Sequence, residues 1–479
     1  YSITSLCRGQ YTVEVYNKTV LIQQRSISLE GTFTLNFSIN NEEASLNEVV
    51  VNAKRDAYQN TIKQTISEKD INQTRGQTLG EVLQRVNGVT VLQTGSTIFK
   101  PVIHGLHSQR ILILNNGIRQ EGQQWGSEHA PEIDPFTADK FIVLKGAGAL
   151  KYGSDAIGGA VLVEPRALPE TPGTKGELNT AYFANNRMYV INGMVEQNVK
   201  KIPSLSWRLQ ATYKRGGNSQ TPNYWLWNTG VKEFNYAASV IYRKPRWTTE
   251  LFFSAFNTDL GIFTGSHIGN LTDLQTAIQS DKPIQNIDRF SYEIGRPRQE
   301  VSHFLLKSKT IYKLTDWYKL NVVLSRQENI RQEYDRAIIT NRPELDLNIG
   351  TTMLDVSVEQ NEGKPSQLQL GMTGTLQENV WSGSRFFIPN FKSTNLSAYA
   401  IKKWNIQPWF IEAGLRYDYK TLTTFRNQNN QIRSLEQNFN NISASLGATY
   451  KINQDLRILF NAAMAVSYTH LRAHETKAN

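Results

Sequence analysis

The sequence is poor in cysteine and in long hydrophobic runs, and each shortage excludes a class of protein. Its 479 residues contain one cysteine, Cys7, so an internal disulfide and a metal site made of cysteines are both excluded. No apolar run approaches the roughly 20 residues that a membrane-spanning helix needs. This excludes a helical membrane protein but leaves open a membrane β-barrel, whose strands alternate polar and apolar residues.

Two other signals are missing. The formal net charge of +10 is spread along the chain rather than gathered in dense Lys/Arg runs, so we expect no nucleic-acid partner. Neither a Gly-x-Ser-x-Gly nor a His-Glu-x-x-His segment occurs, which argues against a secreted hydrolase, and we expect no enzyme. The chain begins at Tyr1 without a charged and then apolar leader, so we expect a mature chain or a fragment.

The pattern that is present changes along the chain. Residues 1–43 hold two alternating segments, GQYTVEVY and GTFTLNFSI, each opened by glycine. They predict a small β module with too few strands for a whole sandwich. Residues 44–59 are polar around a short β-prone run. Residues 60–168 mix a helical pattern, apolar runs and many glycines, and they predict a compact α+β unit.

Two local motifs in the α+β unit predict defined structure. Thr78 and Glu81 have the spacing of a capping box, and the apolar periodicity that follows predicts a short helix that ends at Gly88. The dipeptide Asn116-Gly117 lies between apolar residues in RILILNNGI, which predicts a β-hairpin with a two-residue turn.

From about residue 169 to 466 the sequence alternates in long segments. In 409–419, for example, nearly every second residue is apolar or aromatic, which predicts a strand with one apolar and one polar face. About a dozen such segments occur, roughly twice as long as the 5 or 6 residues of ordinary strands. Their connections are either very short or very long, the longest being 257–300. This favours a transmembrane antiparallel β-barrel over a soluble β-sandwich.

The order of these features resembles that of the TonB-dependent outer-membrane receptors. A short NEVVVNA is followed by TLGEVLQRVNGV, IHGLHSQRILILNNGI and VLKGAGALKYGSDAIGGAVLVEP, and then by the alternating strands. The run from Tyr152 to Gly159 is the most specific part. The plug-motif residues are Gly105, Asn116, Gly117, Gly146, Tyr152, Gly153, Gly158 and Gly159. The sequence departs from the family pattern where His104 replaces Arg and Asn116 replaces Asp, although a turn accepts Asn as well.

The resemblance implies the rest of the architecture. The fold class is mainly β: a transmembrane antiparallel β-barrel of about 22 strands when complete, about half of them in residues 169–466, with an N-terminal α+β plug domain at 60–168. Residues 1–43 resemble the partial β-sandwich of the carboxypeptidase-regulatory-like module found in Bacteroidetes-type receptors. Residues 467–479, SYTHLRAHETKAN, abandon the alternation, and we expect a non-native tail there.

The resemblance also implies a function. Such a protein is an outer-membrane active transporter that binds a scarce nutrient and imports it to the periplasm with energy from TonB and its inner-membrane complex. The expected TonB-contact residues are Glu48, Val49, Val50, Val51, Asn52 and Ala53. An extended segment suits this role because it can add as a strand to a partner's sheet edge, although it would otherwise be an edge strand of the leading module. Outer-membrane lipid and the transported ligand are the other expected partners.

The candidate substrate site is the Pro-bounded stretch QQWGSEHAPEIDP at residues 123–135. Imidazole with carboxylate suits zinc and similar divalent ions, and Glu128-His129-Ala130 resembles an acidic-His-Ala sequence that supplies metal ligands in zinc-type receptors. A zinc site needs three or four ligands, so further donors are expected. The candidates are Glu128, His129, Glu132, Asp134, His267 and His303. We expect no resident cofactor and a transported zinc, copper or iron chelate.

Several alternatives stay open. His104 and His107 fit packing and hydrogen-bonding roles in the plug better than metal binding. The 123–135 loop, shaped by its Trp and Pro residues, would then recognise something other than a bare metal. The cargo would be a siderophore, haem, cobalamin or a glycan. A non-transporting outer-membrane binding protein is the remaining alternative, and it would need neither a plug nor residues 48–53.

Overall fold

The structure of the chain is a computed structural model. It describes residues 6–17, 20–31, 34, 62–66, 68–95, 98–122, 129–145, 150–153, 158–263, 265, 270–283, 286–287, 289–335, 342–361, 365–428, 430–453 and 456–464. The chain divides into two compact units, Tyr1–Ala57 and Tyr58–Asn479. None of the described helices is both long and apolar enough to cross a membrane.

The first unit contains an antiparallel hairpin of strands β1 (Gly9–Asn17) and β2 (Val20–Leu29). The register shifts between Val15 and Tyr16. The first alternating segment, GQYTVEVY, is therefore a strand, as predicted. Its partner is VLIQQRSISL, which the sequence reading did not single out, whereas most of the second predicted segment, GTFTLNFSI, lies outside the described residues.

The second unit begins with the α+β domain, which we call the plug. Its elements are β3 (Ile62–Thr65), α1 (Glu68–Gln73), α2 (Leu79–Leu83), β4 (Val89–Thr94), β5 (Ile98–Ile103), β6 (Leu112–Asn115), β7 (Ile118–Arg119), β8 (Lys140–Lys145) and β9 (Ala160–Glu164). Five of the strands form a mixed sheet in the order β3-β8-β9-β6-β7, in which only β6 and β9 are parallel, while β4 and β5 form a separate hairpin. The 3-10 turns Ser108–Arg110 and Pro135–Thr137 connect them.

Both local predictions in the plug are confirmed. The Thr78 hydroxyl accepts from the Glu81 N–H at 3.4 Å, and the Glu81 carboxylate accepts from the Thr78 N–H at 2.7 Å, which completes the capping box of α2. The helix ends at Leu83, earlier than predicted, because the next turn tightens to three-residue hydrogen bonds. Asn116 and Gly117 have φ of 50° and 76°, as a two-residue β6–β7 turn requires.

In the part of the chain that the structure describes, the main element of the rest of the unit is a sheet of thirteen strands, which we call the wall. Its strands are β10 (Gly173–Phe183), β11 (Met188–Asn198), β12 (Leu205–Gly216), β14 (Val231–Arg243), β15 (Trp247–Gly261), β17 (Arg298–Lys313), β18 (Tyr318–Tyr334), β19 (Leu345–Gln360), β20 (Ser366–Trp381), β21 (Asn390–Ile406), β22 (Trp409–Gln428), β23 (Gln431–Lys451) and β24 (Arg457–Met464). Each pairs antiparallel with the next in chain order, and β10 and β24 form the two edges of the described sheet. The thirteen strands agree with the predicted dozen.

The two faces of the wall have opposite polarity. On β14, Glu233 and Asn235 are buried on the face toward the plug, while Phe234 and Tyr236 are exposed on the other face. Such a strand has its apolar side outward, the reverse of a soluble sandwich and the pattern of a membrane barrel.

The connections also differ between the two ends of the wall. At one end they are all short: 199–204, 244–246, 314–317, 361–365, 407–408 and 452–456. At the other end most are longer. The longest is 262–297 rather than the predicted 257–300, because β15 and β17 both extend into it. It carries helix α3 (Leu271–Gln279) and strand β16 (Asn286–Ile287), which pairs with β13 (Trp225–Leu226) of the preceding long connection.

The plug has an apolar core of its own. Residues of α2, β4, β6, β8 and β9 form one buried cluster that includes Leu83, Phe141 and Val161. Among the described residues, apolar clusters that join plug to wall are small, such as Ile118 of the plug with Leu305 and neighbouring wall residues. Hydrogen bonds and ion pairs join the two at other points, including Glu132 with Arg331 and Asp134 with Thr212.

Candidate functional site

The candidate site lies on the plug segment 129–137, which runs along the inner face of the wall and is largely buried. Asp134 fixes its backbone: Oδ1 accepts from the Phe136 N–H at 3.0 Å and caps a short 3-10 turn. A side-chain cap of this kind satisfies a backbone donor that the turn leaves unpaired. The turn thereby holds the side chains of His129, Glu132 and Asp134 against the wall.

Glu132 is the centre of a buried polar network between plug and wall. Its Oε1 lies 2.6 Å from Nη2 of Arg331, and its Oε2 accepts from Nδ2 of Asn329 at 2.6 Å. Nδ1 of His303 lies 3.6 Å from the same Oε2. Only 2% of the Arg331 side chain and 3% of the Glu132 side chain are exposed, so each charge depends on its partners in the protein for compensation.

The network extends from Arg331 to His129. Nη1 of Arg331 donates to Oε1 of Gln299 at 3.0 Å and lies 3.6 Å from Oε1 of Glu333. Nε2 of His129 lies 2.9 Å from that same Glu333 oxygen. The Glu132 network therefore consists of His129 and Glu132 of the plug with Gln299, His303, Asn329, Arg331 and Glu333 of the wall.

Burial and charge set the protonation of the plug residues. Burial alone would raise the pKa of Glu132, but His303 and Arg331 lower it below its usual value, so the carboxylate stays charged. Burial, together with Arg331, lowers the pKa of His129 despite the opposing effect of Glu333. A neutral His129 can still donate its Nε2–H to the Glu333 carboxylate.

A buried lysine lies beside the same network. Lys100 is 1% exposed, and its Nζ donates to Oγ of Ser108 at 3.0 Å. Burial lowers the pKa of Lys100 to about 7, and Arg331 acts in the same direction. The plug therefore carries several ionisable groups whose preferred charge depends on contact with the wall.

Asp134 joins plug to wall at a separate point. Its Oδ2 accepts from the Thr212 hydroxyl at 2.6 Å, and that hydroxyl also accepts from Nδ2 of Asn192 at 2.8 Å. Burial raises the pKa of Asp134 from 3.8 to about 6, although the hydrogen bonds from Thr212 and Phe136 oppose the rise. The folded protein therefore holds the Asp134 proton more tightly than the unfolded chain does.

Asp134→Asn is expected to change how stability depends on pH. Because the pKa of Asp134 is higher in the folded state, its contribution to the free energy of unfolding is fully present below about pH 4. That contribution, roughly 3 kcal/mol, is lost as the pH rises through about 6. The amide mimics the neutral acid: its oxygen can accept from Phe136 and its NH₂ can donate to Thr212. Urea unfolding between about pH 4 and about pH 8 should show that the variant becomes more stable relative to the wild type as the pH rises. Parallel pH profiles would contradict this, and the exposed Glu378→Gln serves as control.

The structure brings some of the predicted metal ligands together. His129 and His303 belong to the same network, whereas Asp134 contacts Thr212 instead. Glu128 and His267 lie outside the described residues. Within the described ranges no group of three or more His, Cys, Asp or Glu side chains could hold a metal ion. The predicted TonB-contact residues Glu48, Val49, Val50, Val51, Asn52 and Ala53 and the tail 467–479 also lie outside these ranges.

The plug-motif residues serve the plug backbone and core. Gly105, Gly117, Gly153 and Gly159 all have positive φ, a conformation that favours glycine. A Cβ on Gly158 would lie 2.9 Å from Cγ2 of Ile111. Tyr152 packs against a buried apolar cluster of the plug sheet, and Gly146 lies outside the described residues.

Apart from His303, the wall residues of the network were not predicted from the sequence. Their signal is weak but visible: in SRQENIRQEY every second residue from Ser325 to Glu333 is polar, and these side chains share the inward face of β18. Three of the four intervening positions are polar as well, Ile330 being the exception, so the period alone does not show which face meets the plug.

The fold and the site define a class of protein. Its long β-sheet has an apolar outer face, and the polar inner face of the sheet contacts a plug that has an apolar core of its own. Residues 55–160 match the family model of the TonB-dependent receptor plug domain. Residues 279–469 match the family model of the TonB-dependent receptor-like β-barrel. The chain therefore contains a TonB-dependent receptor plug domain and a region of TonB-dependent receptor-like β-barrel, the fold of an outer-membrane protein.

Individual relatives agree with this assignment. The chain is 33% identical to a vitamin B12 transporter of Vibrio cholerae over 111 residues, 23% of this chain and 18% of that protein. It is 34% identical to a hemin receptor of Yersinia pestis over 88 residues, 18% of this chain and 13% of that protein. The open form of the ferric-catecholate import receptor Fiu of Escherichia coli has the same fold, with a TM-score of 0.67, 13% identity and coverage of 85% of this chain and 70% of that one.

Proposed function

We propose that the chain is the plug and part of the barrel of an active outer-membrane transporter, which imports a scarce nutrient with energy delivered by TonB. The observation that carries the proposal is the polar character of the plug–wall boundary. The buried Glu132–Arg331 ion pair, the Asp134–Thr212 bond and the contacts around them join a plug that keeps its own apolar core.

A polar boundary suits a plug that must move. When water can enter as the contact opens, each polar contact between plug and wall is replaced by a contact with water. The net loss of free energy is then small, about 0.5–1.5 kcal/mol for an ordinary hydrogen bond. Exposing a shared apolar core would cost about 25 cal/mol for every Å². A pull on the plug can therefore loosen it from the wall without first unfolding its core.

Residues 48–53 are the proposed point of attachment for TonB. An extended β-prone segment can pair with the edge of a partner's sheet, and this one precedes the plug directly. We also propose that the complete barrel has about 22 strands and that outer-membrane lipid covers the exposed outward leucines, such as Leu209, Leu324 and Leu415. The β1–β2 hairpin in its own compact unit supports a carboxypeptidase-regulatory-like module of the Bacteroidetes type at residues 1–43.

The proposed cargo is a metal held in an organic chelate, not a bare ion. His129 is already bonded to Glu333, and Asp134 to Thr212 and Phe136, so these groups are poorly placed to collapse around a small cation. The relatives named above are, by name, a vitamin B12 transporter, a hemin receptor and a ferric-catecholate receptor. These three kinds of cargo share a metal enclosed by organic ligands.

Calorimetric titration of the full-length receptor tests this proposal. A ferric siderophore, hemin and cyanocobalamin are compared with zinc and copper chlorides, and at least one chelate is expected to bind while the bare ions do not. His129→Ala should weaken chelate binding by up to about tenfold, because a charge-assisted hydrogen bond of about 1.5 kcal/mol no longer orders the loop.

The exposed plug residue His104 supplies the matched control, His104→Ala, which lies outside the Glu132 network. Zinc or copper binding that disappears in His129→Ala would overturn the chelate proposal in favour of a bare-metal site at Glu128 and His129. A folded receptor that binds none of the three chelates would also count against it.

A further inference from the structure

A cavity of about 550 Å³ lies between the plug and the inner face of the wall. The plug side contributes the β6–β7 turn, the segment around Lys151 and residues 164–168, and the wall contributes residues of β14, β15, β17, β18, β19, β20 and β22. Its volume falls within the range of small-molecule sites, about 300–1,000 Å³. The cavity is distinct from the Glu132 network, none of whose residues line it.

The lining of the cavity is rich in lysine and arginine. Eight such side chains line it together with four carboxylates, and five of the eight are in ion pairs. The paired cations are Arg119, Arg166, Arg243, Lys319 and Arg416, with Glu121, Glu177, Glu170, Glu359 and Asp418. Of the other lining carboxylates, Asp355 accepts from the Thr373 hydroxyl at 2.7 Å. The cations left for a ligand are therefore three lysines, and cations in a concave, low-dielectric site attract anions.

The three remaining lysines, Lys151, Lys307 and Lys309, form no ion pair among the described residues. Nζ of Lys307 donates to the neutral backbone oxygen and Oδ1 of Asn116, at 2.9 and 2.8 Å. Neither Lys151 nor Lys309 has a carboxylate within salt-bridge distance among the described residues. Glu250 lies opposite Lys309 in the strand register, but its carboxylate accepts from Nδ2 of Asn116 instead.

The lysines lie close enough to influence one another. Lys307 and Lys309 are two positions apart on β17 and so share its inward face. Burial lowers the pKa of Lys151, and the charge of Lys309 acts in the same direction, against the opposing effect of Glu359 and Asp355. Mutual repulsion of this kind is relieved when an anion binds between the ammonium groups.

We propose that this cavity binds a small multivalent oxyanion, a molecule with two or more carboxylate or phosphate groups that Lys151, Lys307 and Lys309 contact together. The proposal rests on the lining of the cavity and does not depend on transport. Its test is a binding measurement that needs no energised membrane, so its failure can be distinguished from failure of the transport proposal.

The test is calorimetry on the full-length receptor in detergent at low ionic strength, with citrate and inorganic phosphate as the two probes. Citrate is expected to bind, and Lys309→Glu should weaken its affinity by at least about tenfold, since an attraction becomes a repulsion in a poorly screened site. Lys309→Gln should have a smaller effect in the same direction. Raising the salt should weaken binding to the wild type because the attraction is partly screened.

Lys392→Gln is the matched control, because Lys392 is a well exposed lysine paired with Glu378 outside the cavity, and it should bind citrate as the wild type does. Wild-type citrate affinity in Lys309→Glu would overturn the proposal, as would the lack of citrate binding by a folded wild-type receptor. Phosphate that binds as tightly as citrate would overturn the requirement for several anionic groups.

Discussion

Glu132→Leu in the full-length receptor is expected to lower the free energy of unfolding by about 3–5 kcal/mol. The substitution keeps a side chain of similar size but removes the carboxylate 2.6 Å from Arg331, which is 2% exposed. Arg331 then keeps only the more distant Glu333 carboxylate, 3.6 Å away, as an ion-pair partner within the network. It also removes the acceptor for Asn329. Urea unfolding followed by tryptophan fluorescence measures the change, with the plug expected to separate from the wall at lower denaturant concentration.

Two further variants make this result specific. Glu132→Leu combined with Arg331→Leu removes both charges and should recover much of the loss, because the cost lies in the orphaned partner. Glu378→Leu breaks the exposed pair with Lys392, whose side chains are 55% and 64% exposed, and should change stability by less than about 1 kcal/mol. If Glu132→Leu costs no more than Glu378→Leu, the network does not hold the plug.

Deletion of residues 48–53 is expected to reduce uptake of the cargo to the background of cells without the receptor. The plug and wall contain the proposed cargo site, so chelate binding by the purified variant should stay at the wild-type level. The combination of unchanged binding and lost uptake separates energy transfer from recognition. Uptake of labelled chelate by whole cells and calorimetry on the purified receptor measure the two quantities.

A point substitution gives this deletion a matched control. Val50→Pro removes a backbone N–H and should act like the deletion if the segment pairs as a strand with its partner, whereas Val50→Ile should have no effect. Uptake that survives the deletion of residues 48–53 would show that the plug is not opened through this segment. The protein would then fit a non-transporting binding barrel better.

The predictable parts of the fold depend on neighbouring residues. The capping box at Thr78 and Glu81 and the Asn116-Gly117 turn each need only a few consecutive side chains with known backbone preferences. The wall strands were equally visible, because a membrane barrel repeats one polar-inside, apolar-outside pattern over many residues. The predicted bounds of the longest connection, 257–300 instead of 262–297, were less accurate, because strand ends depend on pairing with neighbouring strands rather than on local sequence.

The candidate site could be predicted only in part, for a physical reason. The stretch around His129 was recognisable because proline, histidine and acidic residues are concentrated in it. Its partners Arg331 and Glu333 lie about two hundred residues away along the chain. Register across several strands decides which polar residue of β18 meets Glu132, and a shift by one residue would turn every side chain to the other face.

Accumulation of a labelled metal chelate by cells that carry the full-length receptor, with and without a protonophore, tests the central claim most directly. We predict that the chelate binds to the cells in both conditions but enters the periplasm only when the inner membrane is energised. Equal entry with and without the protonophore would contradict an energised plug and would indicate a passive pore.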